Sequence, residues 1–345
     1  MARTVFILGA GASVAAGAPV QATFLATAQQ LRSVNRLQRA TDELECVERA
    51  ISVLQGCNAK TQLDTTNLER LWTALEMAQL LGGVGALSSE DAVEALRSLR
   101  KLIVVVLEES IRFPSSSNGV HAFAAAPAGY SSLSNEILRR MRKQSAGAPT
   151  LITFNYDIAL EVALDDNQIK YDYGHESSHQ EPHVDLLKLH GSVNWYQKEN
   201  VVQVTPIERM GFGQAGVHHL TLQTSLPVNP QTGVVYEPLI VPPTDSKKEG
   251  RFILANVWKR AAQELRTAAR LVVIGYSMPQ SDEFFRTFLA LSTLGPTAIS
   301  EVIVVDPSPD TANRIRGVLG TETASRFQHI PCTFADAAPR IQEWI

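Results

Sequence analysis

Two polar clusters in the middle of the chain carry residue types that suit chemistry on a hydroxyl group or on water. Thr153-Phe-Asn-Tyr-Asp157 and Leu189-His-Gly-Ser-Val-Asn194 each include the end of a short apolar run. A histidine titrates near neutrality and can accept a proton, while an asparagine amide both donates and accepts hydrogen bonds. Asn155 and His190 are therefore candidate catalytic residues, and Asp157 is a candidate binding residue.

Each of these residues also has a purely structural interpretation. Asn155 and Asp157 could cap a helix that starts at Ile158, because short polar side chains bond readily to nearby backbone N–H groups. His190 could simply end a buried strand.

A third candidate lies at the start of the chain, where Phe6 to Pro19 read FILGAGASVAAGAP. A strand followed by Gly9-x-Gly11 and the start of a helix is the arrangement in which backbone N–H groups and the helix dipole hold a pyrophosphate. The pattern favours a dinucleotide ligand, although glycines also serve tight turns that bind nothing.

The spacing of the glycines does not fit a hydride-transferring dehydrogenase. That fingerprint needs a third glycine three residues after the second, and Val14 stands there while the next glycine is Gly17. It also needs a strand that ends in an acidic residue about 20 residues on, and this part of the sequence has a helical pattern.

Short β-branched and apolar runs, typical of buried parallel strands, place the polar clusters at strand ends. These runs cover residues 4–8, 150–154, 187–190, 239–242, 271–275 and 301–306. Several are separated by helical patterns, which predicts an α/β fold with a Rossmann-like, doubly wound and mainly parallel sheet. Ligands bind outside the carboxyl ends of such strands, so Asn155, Asp157 and His190 should converge on the glycine loop.

A long interval without strands separates the first two runs, and no proline occurs from Val20 to Phe113. Apolar residues recur there at helical spacing over 68–78 and 96–106, with Ser88 and Ser89 placed to cap the second helix. The sequence therefore predicts a large helical insertion after the first strand.

We divide the chain accordingly into a Rossmann-like domain, residues 1–30 plus 146–345, and a helical insertion subdomain, residues 31–145. Within it, Pro114 to Gly119 reads as a loop, because serine, proline and glycine cluster there. An apolar face over 252–270 predicts a helix packed on the sheet.

Composition excludes several classes of protein. The 345 residues include 31 basic and 35 acidic side chains, a net charge of −4, so no sequence-wide cationic surface favours nucleic acid or acidic lipid. The only cysteines, Cys46, Cys57 and Cys332, lack zinc-knuckle spacing. No window reaches the roughly 18 apolar residues that span a bilayer. We expect a cytoplasmic protein that binds neither nucleic acid nor membrane.

At five places, in the same order along the chain, the sequence resembles the sirtuin-like (silent-information-regulator-like) family. The resembling segments are Gly9-Ala-Gly-Ala-Ser13 with Gly17-Ala-Pro19, Thr153-Phe-Asn-Tyr-Asp157, Leu189-His-Gly-Ser192, Ile274-Gly-Tyr-Ser277 and Val304-Val-Asp306.

This resemblance implies that the protein binds NAD as its substrate. It implies a base at His190 and contacts from Asn155 and Asp157 near the nicotinamide ribose. The adenosine half would lie against Gly275, Ser277 and Asp306. The resemblance further implies a cofactor loop near the pyrophosphate and nicotinamide, formed by Gly9, Ala10, Gly11, Ser13, Gly17 and Pro19.

The sequence departs from the sirtuins that deacylate proteins. No cysteine lies between Cys57 and Cys332, so their four-cysteine zinc module is absent. Val20-Gln-Ala also follows Pro19, where aspartate, phenylalanine and arginine are usual in that family.

Details of the motifs resemble instead a divergent branch that hydrolyses NAD in bacterial anti-phage systems. The resembling details are Asn155-Tyr-Asp157, Leu189 to Trp195, and Gly275-Tyr-Ser-Met-Pro-Gln-Ser-Asp282. This resemblance implies an NAD hydrolase that depletes NAD, works as a homo-oligomer, and can act beside a partner such as an ATPase or a phage sensor. An NAD-dependent protein deacylase and a non-catalytic NAD or ADP-ribose sensor are the alternatives.

One motif points to another class of enzyme. His175-Glu-Ser-Ser-His179 matches the H-E-x-x-H pattern of zinc peptidases, and His183 could add a ligand. That pattern needs a helix, whereas Gly174 and Pro182 bound this stretch and it has no apolar face. We therefore expect no metal.

Overall fold

The structure, a computed structural model, describes most of the chain. The described residues are 3–56, 63–117, 122–143, 147–175, 183–198, 201–207, 219–220, 226–242, 253–279, 282–295 and 297–345.

The described strands are numbered in chain order. They are β1 (Arg3–Leu8), β2 (Gly83–Val84), β3 (Leu87–Ser88), β4 (Phe113–Ser117), β5 (Ala122–Ala124), β6 (Thr150–Thr153), β7 (Tyr171–Asp172), β8 (Val184–Lys188), β9 (Gly191–Lys198), β10 (Val201–Val204), β11 (His219–Leu220), β12 (Pro238–Ile240), β13 (Ala268–Ile274), β14 (Glu301–Val305) and β15 (Phe327–Ile330).

The described α-helices are numbered in the same way. They are α1 (Phe24–Ser33), α2 (Thr41–Gly56), α3 (Leu68–Leu80), α4 (Ser89–Ser110), α5 (Ala128–Arg142), α6 (Ala159–Asp166), α7 (Ala255–Arg266), α8 (Glu283–Ser292), α9 (Pro309–Gly317) and α10 (Thr321–Ala324). Short 3₁₀ helices cover Ala10–Ala16, Gln38–Ala40 and Ala338–Glu343. None of these helices is both long and apolar enough to cross a membrane.

The main sheet has seven strands in the order β15-β14-β13-β1-β6-β8-β7, and neighbouring strands pair in parallel. Strand β1 lies in the interior, with Val5 paired to Leu271 on one side and to Thr150 on the other. The predicted Rossmann-like α/β fold is confirmed. Strands β6, β8 and β7 lie on one side of β1, and the later strands β13, β14 and β15 lie on the other. The strand order therefore reverses between β1 and β13.

Strand β1 also separates the two hydrophobic cores, because successive side chains of a strand point to opposite faces. Phe6 and Leu8 join a core that continues into the helices between β1 and β6. Val5 and Ile7 join a second core on the other face, under α7 and α8. The first core runs without a break from the sheet into the helical segment. The division of the chain into two domains stays a prediction.

The predicted cap of α4 is confirmed. Ser88 accepts a hydrogen bond from the Asp91 amide, and the Asp91 carboxylate accepts one from the Ser88 amide in return. This reciprocal pair satisfies N–H groups that the first turn of a helix leaves unbonded.

Two strand predictions were wrong in part. The predicted strand at 187–190 lies at Val184–Lys188, and His190 occupies the turn that leads into β9. The predicted strand at 239–242 is β12, which pairs antiparallel with β9 in a separate small sheet. Gly191 allows both the turn into β9 and the close approach of β12. Its φ of +85° favours glycine, and an added Cβ would lie 1.9 Å from the Leu239 carbonyl oxygen.

Two further predictions need correction. Of the loop predicted at 114–119, residues 114–117 belong to β4, because pairing with β5 supplies hydrogen bonds that the serine-rich composition did not suggest. Residues 118 and 119 lie outside the described residues. The helix predicted over 252–270 is α7, which ends at Arg266 because the chain enters β13 at Ala268.

Candidate functional site

A cavity of about 480 Å³ opens at the carboxyl ends of the central strands. The main sheet contributes the turn after β1, the loops after β6 and β13, the turn after β8, and the residue after β14. The helical segment also contributes, through Asn67 and Leu68 at the start of α3 and through Ile103 and Leu107 of α4. The reversal of strand order between β1 and β13 places the cavity where doubly wound sheets bind ligands. Its volume lies within the range of small-molecule sites.

Most of the predicted site residues line this cavity. They are Ala10, Gly11, Ser13, Pro19, Asn155, Asp157, His190, Gly275, Ser277 and Asp306. Gly9 and Gly17 are not among the lining residues. The roles assigned to all of these residues stay predictions, but the convergence expected of Asn155 and His190 on the glycine loop is present in the fold.

The glycines after β1 hold two loops together backbone to backbone. The Gly11 amide donates a 2.8 Å hydrogen bond to the Gly275 carbonyl oxygen, and the Gly9 amide donates one of 3.0 Å to the carbonyl oxygen of Ile274. A Cβ on Gly275, whose φ is +59°, would lie 2.2 Å from the Ala12 nitrogen. The Gly11 amide, expected to face a pyrophosphate, is therefore already bonded within the protein.

The local geometry of this loop adds two details. The helix that follows β1 is a 3₁₀ helix, Ala10–Ala16. Gly17 ends it with a φ of +99°, and an added Cβ would meet the Ser110 carbonyl oxygen at 2.5 Å. Gly17 thus allows the end of α4 to approach the loop closely.

Ser13 lies at the centre of a buried hydrogen-bonded cluster. Its hydroxyl donates to Asp157 Oδ2 at 2.8 Å and lies 2.6 Å from the Tyr130 hydroxyl. Because the only hydrogen of Ser13 goes to Asp157, Tyr130 is the donor in the second contact. The Asn155 amide nitrogen lies 3.3 Å from Ser13 Oγ and 3.4 Å from the Tyr130 oxygen. The cluster holds the Asn155 amide at the cavity.

Tyr130 is a donor at every ordinary pH. Burial and the nearby charge of Asp157 raise the pKa of its phenol well above the usual value of 10.0. Burial likewise raises the pKa of Tyr156 and Tyr276, two residues that line the cavity. The hydroxyl groups of the site therefore stay protonated.

Asp157 also bonds to the start of the following helix, which is the structural role considered from the sequence. Its Oδ1 accepts a 3.0 Å hydrogen bond from the Ala159 amide at the start of α6. Beneath it, Lys188 donates to the Asp157 carbonyl oxygen and, at 2.8 Å, to Glu161 Oε1. Lys188 and Glu161 are both fully enclosed, with side-chain exposures of 1% and 0%. A buried ion pair thus supports the loop that carries Asn155.

His190, which lines the cavity, lies among aromatic rings. Its ring centre is 5.3 Å from that of Phe154 and 6.2 Å from that of Trp258. The Trp258 indole N–H donates a 3.1 Å hydrogen bond to the Leu189 carbonyl oxygen, which fixes the turn that presents His190. His190 also lines a narrow side crevice with Trp258 and Phe284.

An aromatic wall was missed from the sequence. The rings of Phe154 and Tyr276 stack with centres 4.3 Å apart, and the Tyr276 hydroxyl bonds to Asp282, which caps α8. Phe154 precedes Asn155 in the first polar cluster. Because polar and aromatic residues alternate there, the sequence could have indicated that Phe154 lies beside the site. Tyr130 has no comparable signal, because it lies on α5 outside every motif.

Hydrogen bonds order the segments that the sequence predicts on the adenosine side. Asp306 follows β14, and its Oδ1 accepts a 2.8 Å hydrogen bond from the Ser308 amide. Arg314 donates a 2.9 Å hydrogen bond to the Ser277 carbonyl oxygen, which links α9 to the loop after β13.

Comparison with known proteins gives one family match. Residues 149–224 match the SIR2-like domain family, so this part of the chain, with Asn155, Asp157 and His190, is sirtuin-like in sequence. No curated protein sequence matches the chain significantly.

Solved structures resemble the chain at low identity. A serine-to-alanine mutant of a Sir2 homologue in complex with ADP-ribose has a TM-score of 0.46 and 13% identity, covering 99% of this chain and 90% of that one. A phenylalanine-to-alanine mutant of a Sir2 homologue, also in complex with ADP-ribose, has a TM-score of 0.45 and 14% identity, at the same coverage of both chains. A structure described as the structural basis of sirtuin substrate affinity has a TM-score of 0.40 and 12% identity, covering 99% of this chain and 93% of that one. Scores at this level say nothing about activity.

Proposed function

We propose that the protein hydrolyses NAD, releasing nicotinamide and ADP-ribose. The observation that carries the proposal is that Asn155 and His190 line one cavity at the carboxyl edge of the sheet, together with Ser13 and Asp157. The SIR2-like match supports it, because the matched residues, 149–224, include three of these four side chains.

The proposed reaction needs few catalytic groups. The bond between C1′ of the ribose and the nicotinamide nitrogen breaks, and nicotinamide leaves as a neutral molecule because its ring nitrogen is cationic in NAD. Water forms the new bond to C1′ and gives up one proton. No general acid is required, so positioning and charge stabilisation can do most of the work.

In this proposal Asn155 orients the water or the ribose, and His190 accepts the proton. The Asn155 amide suits that task because Ser13 and Tyr130 hold it in place. Asp157 keeps a carboxylate near the position where the sugar becomes cation-like, and its bond from Ser13 limits its motion. The stacked pair of Phe154 and Tyr276 offers a flat apolar wall to a planar ring.

A role in bacterial anti-phage defence is part of the proposal. It is supported by the resemblance of Asn155-Tyr-Asp157 and of the segment from Leu189 to Trp195 to the branch with that role. Depletion of NAD would then be the toxic effect, and oligomerisation or a partner protein would control it.

Product analysis tests the activity. Purified protein is incubated with NAD, with and without an acyl-lysine peptide, and nicotinamide, ADP-ribose and acyl-ADP-ribose are separated. We expect nicotinamide and ADP-ribose in equal amounts without the peptide. Turnover only with the peptide would identify a deacylase, and binding without turnover would identify a sensor; either result would contradict hydrolysis.

A further inference from the structure

Three polar side chains meet at the edge of the main sheet, away from the cavity. Strand β7 pairs with β8 so that Asp172 lies opposite Asp185. The ligand atoms of Asp172, His183 and Asp185 all lie within 4.8 Å of one another. His183 Nε2 is 3.6 Å from Asp185 Oδ1 and 4.0 Å from Asp172 Oδ2.

The two oxygen atoms of Asp185 have different surroundings. Oδ2 lies 3.1 Å from Arg260 Nη2 and 3.7 Å from Arg3 Nη2. Oδ1 is buried and has no hydrogen-bond partner in the described part of the chain, although Asp185 is only 6% exposed. A buried carboxylate oxygen is costly to leave without a donor or a cation. This oxygen is the one that faces His183.

The two arginines near Asp185 are shared with another acid. Arg3 and Arg260 both also pair with Glu264, so two positive charges are shared between Glu264 and Asp185. Both arginines contact Asp185 through Oδ2, whereas Oδ1 faces His183.

We propose that Asp172, His183 and Asp185 bind a divalent transition-metal ion of the zinc type. Carboxylate oxygen and imidazole nitrogen atoms are zinc ligands, and ligand atoms around a tetrahedral zinc lie about 3.3 Å apart. The separations of 3.6 and 4.0 Å therefore need only a small contraction. Three protein ligands leave a further position for water.

This ion joins strands rather than acting in the cavity. Asp185 precedes His190 by five residues, about 17 Å along an extended chain, so the site lies toward the amino ends of the strands and the cavity at their carboxyl ends. The ion would fasten the two-residue edge strand β7 to β8. The inference is independent of NAD hydrolysis. It departs from the expectation that the protein binds no metal, while His179 of the H-E-x-x-H pattern lies outside the described residues.

Metal titration of the full chain, without an affinity tag, tests the proposal. Protein stripped with a chelator is titrated with Zn²⁺, and we expect one ion per chain. The substitutions Asp172→Asn and His183→Gln should each weaken zinc binding at least about tenfold. Asp42→Asn is the matched control, because Asp42 is an exposed acid at the start of α2.

The Co²⁺-substituted protein gives a second measurement that needs no variant. We expect visible d–d absorption without a thiolate charge-transfer band, since none of the three ligands is a cysteine. A thiolate band, the absence of stoichiometric zinc, or unchanged zinc binding by both variants would overturn the proposal.

Discussion

The Ser13 hydroxyl donates a 2.8 Å hydrogen bond to Oδ2 of Asp157, joining the loop after β1 to the loop after β6. Both residues are buried, and Tyr130 continues the chain of hydrogen bonds to α5. Three segments that are distant in sequence therefore hold one another beside the Asn155 amide. The site is built by long-range polar contacts as much as by the glycine loop.

Removal of the Tyr130 hydroxyl should slow the proposed hydrolysis of NAD. Tyr130→Phe keeps the ring, which packs edge-on against Phe334, but leaves Ser13 and Asn155 without one partner. We expect stability to fall by about 1–2 kcal/mol, because one buried polar contact is lost. Turnover of NAD should fall about tenfold, mainly in kcat, because Asn155 is less well positioned.

The control for this change is Tyr236→Phe, since Tyr236 lies outside the cavity and is only partly buried. Steady-state nicotinamide release and urea denaturation measure the two effects. Equal kcat values for Tyr130→Phe and the wild type would show that the hydroxyl cluster does not position the Asn155 amide for the proposed hydrolysis.

The buried ion pair beneath Asp157 should be important for stability. Glu161→Gln leaves the charge of Lys188 enclosed without a counter-charge, and breaking such a pair costs about 3–5 kcal/mol. Glu94→Gln is the matched control, because the Glu94–Arg97 pair is exposed and should contribute less than about 1 kcal/mol. Urea denaturation compares the two variants, and similar losses would contradict the account.

Close contact between two loops should make Gly275 intolerant of substitution. Gly275→Ala would place a Cβ 2.2 Å from the Ala12 nitrogen and force an alanine into a left-handed conformation. Gly317→Ala is the control, since nothing lies within 4 Å of its added Cβ. Thermal unfolding should show a clear loss for Gly275→Ala and little change, or a gain of about 0.4–1 kcal/mol, for Gly317→Ala. A Gly275→Ala protein as stable as the wild type would show that the loops can separate.

Acid should destabilise the protein partly through His175. Burial lowers the pKa of His175 from 6.5 to about 4. Between these two pKa values the unfolded chain binds a proton at His175 and the folded protein does not. The contribution of the neutral, buried His175 to the free energy of unfolding is therefore complete above pH 6.5 and is lost as the pH falls toward 4. Asp172 opposes the shift, because its negative charge favours the protonated ring.

His175→Phe should remove this part of the pH dependence. The ring of His175 packs against Tyr173 and Trp195, which a phenyl ring can also do. The free energy of unfolding, measured in urea between pH 7 and 4.5, should fall less steeply in the variant. Parallel pH profiles would show that His175 titrates normally in the folded protein.

The sequence predicted the features that depend on local patterns. The buried strand at the start of the chain, the cap at Ser88 and the parallel sheet follow from hydrophobic runs and from residue types at helix ends. The convergence of Asn155 and His190 followed from one further rule, that parallel strands present their carboxyl ends at the same edge.

Features that depend on contacts between distant segments were not predicted. Tyr130 enters the site because α5 packs beside α6, and no pattern around Tyr130 indicates its partner Ser13. The small sheet of β9 and β12 depends on Gly191 meeting Leu239, 48 residues later in the chain. The Gly11 amide bonds to Gly275 rather than remaining free, which only the relative placement of the two loops decides.

The most direct test measures nicotinamide release from NAD by four proteins: the wild type, Asn155→Ala, His190→Ala and Asn256→Ala. Asn256 is the control, because it is an exposed asparagine on α7 outside the cavity. We predict that Asn155→Ala and His190→Ala each lose about 100-fold or more of the rate while Asn256→Ala keeps it. Nicotinamide release at the wild-type rate by Asn155→Ala or His190→Ala would contradict the central claim that these two residues act together on NAD.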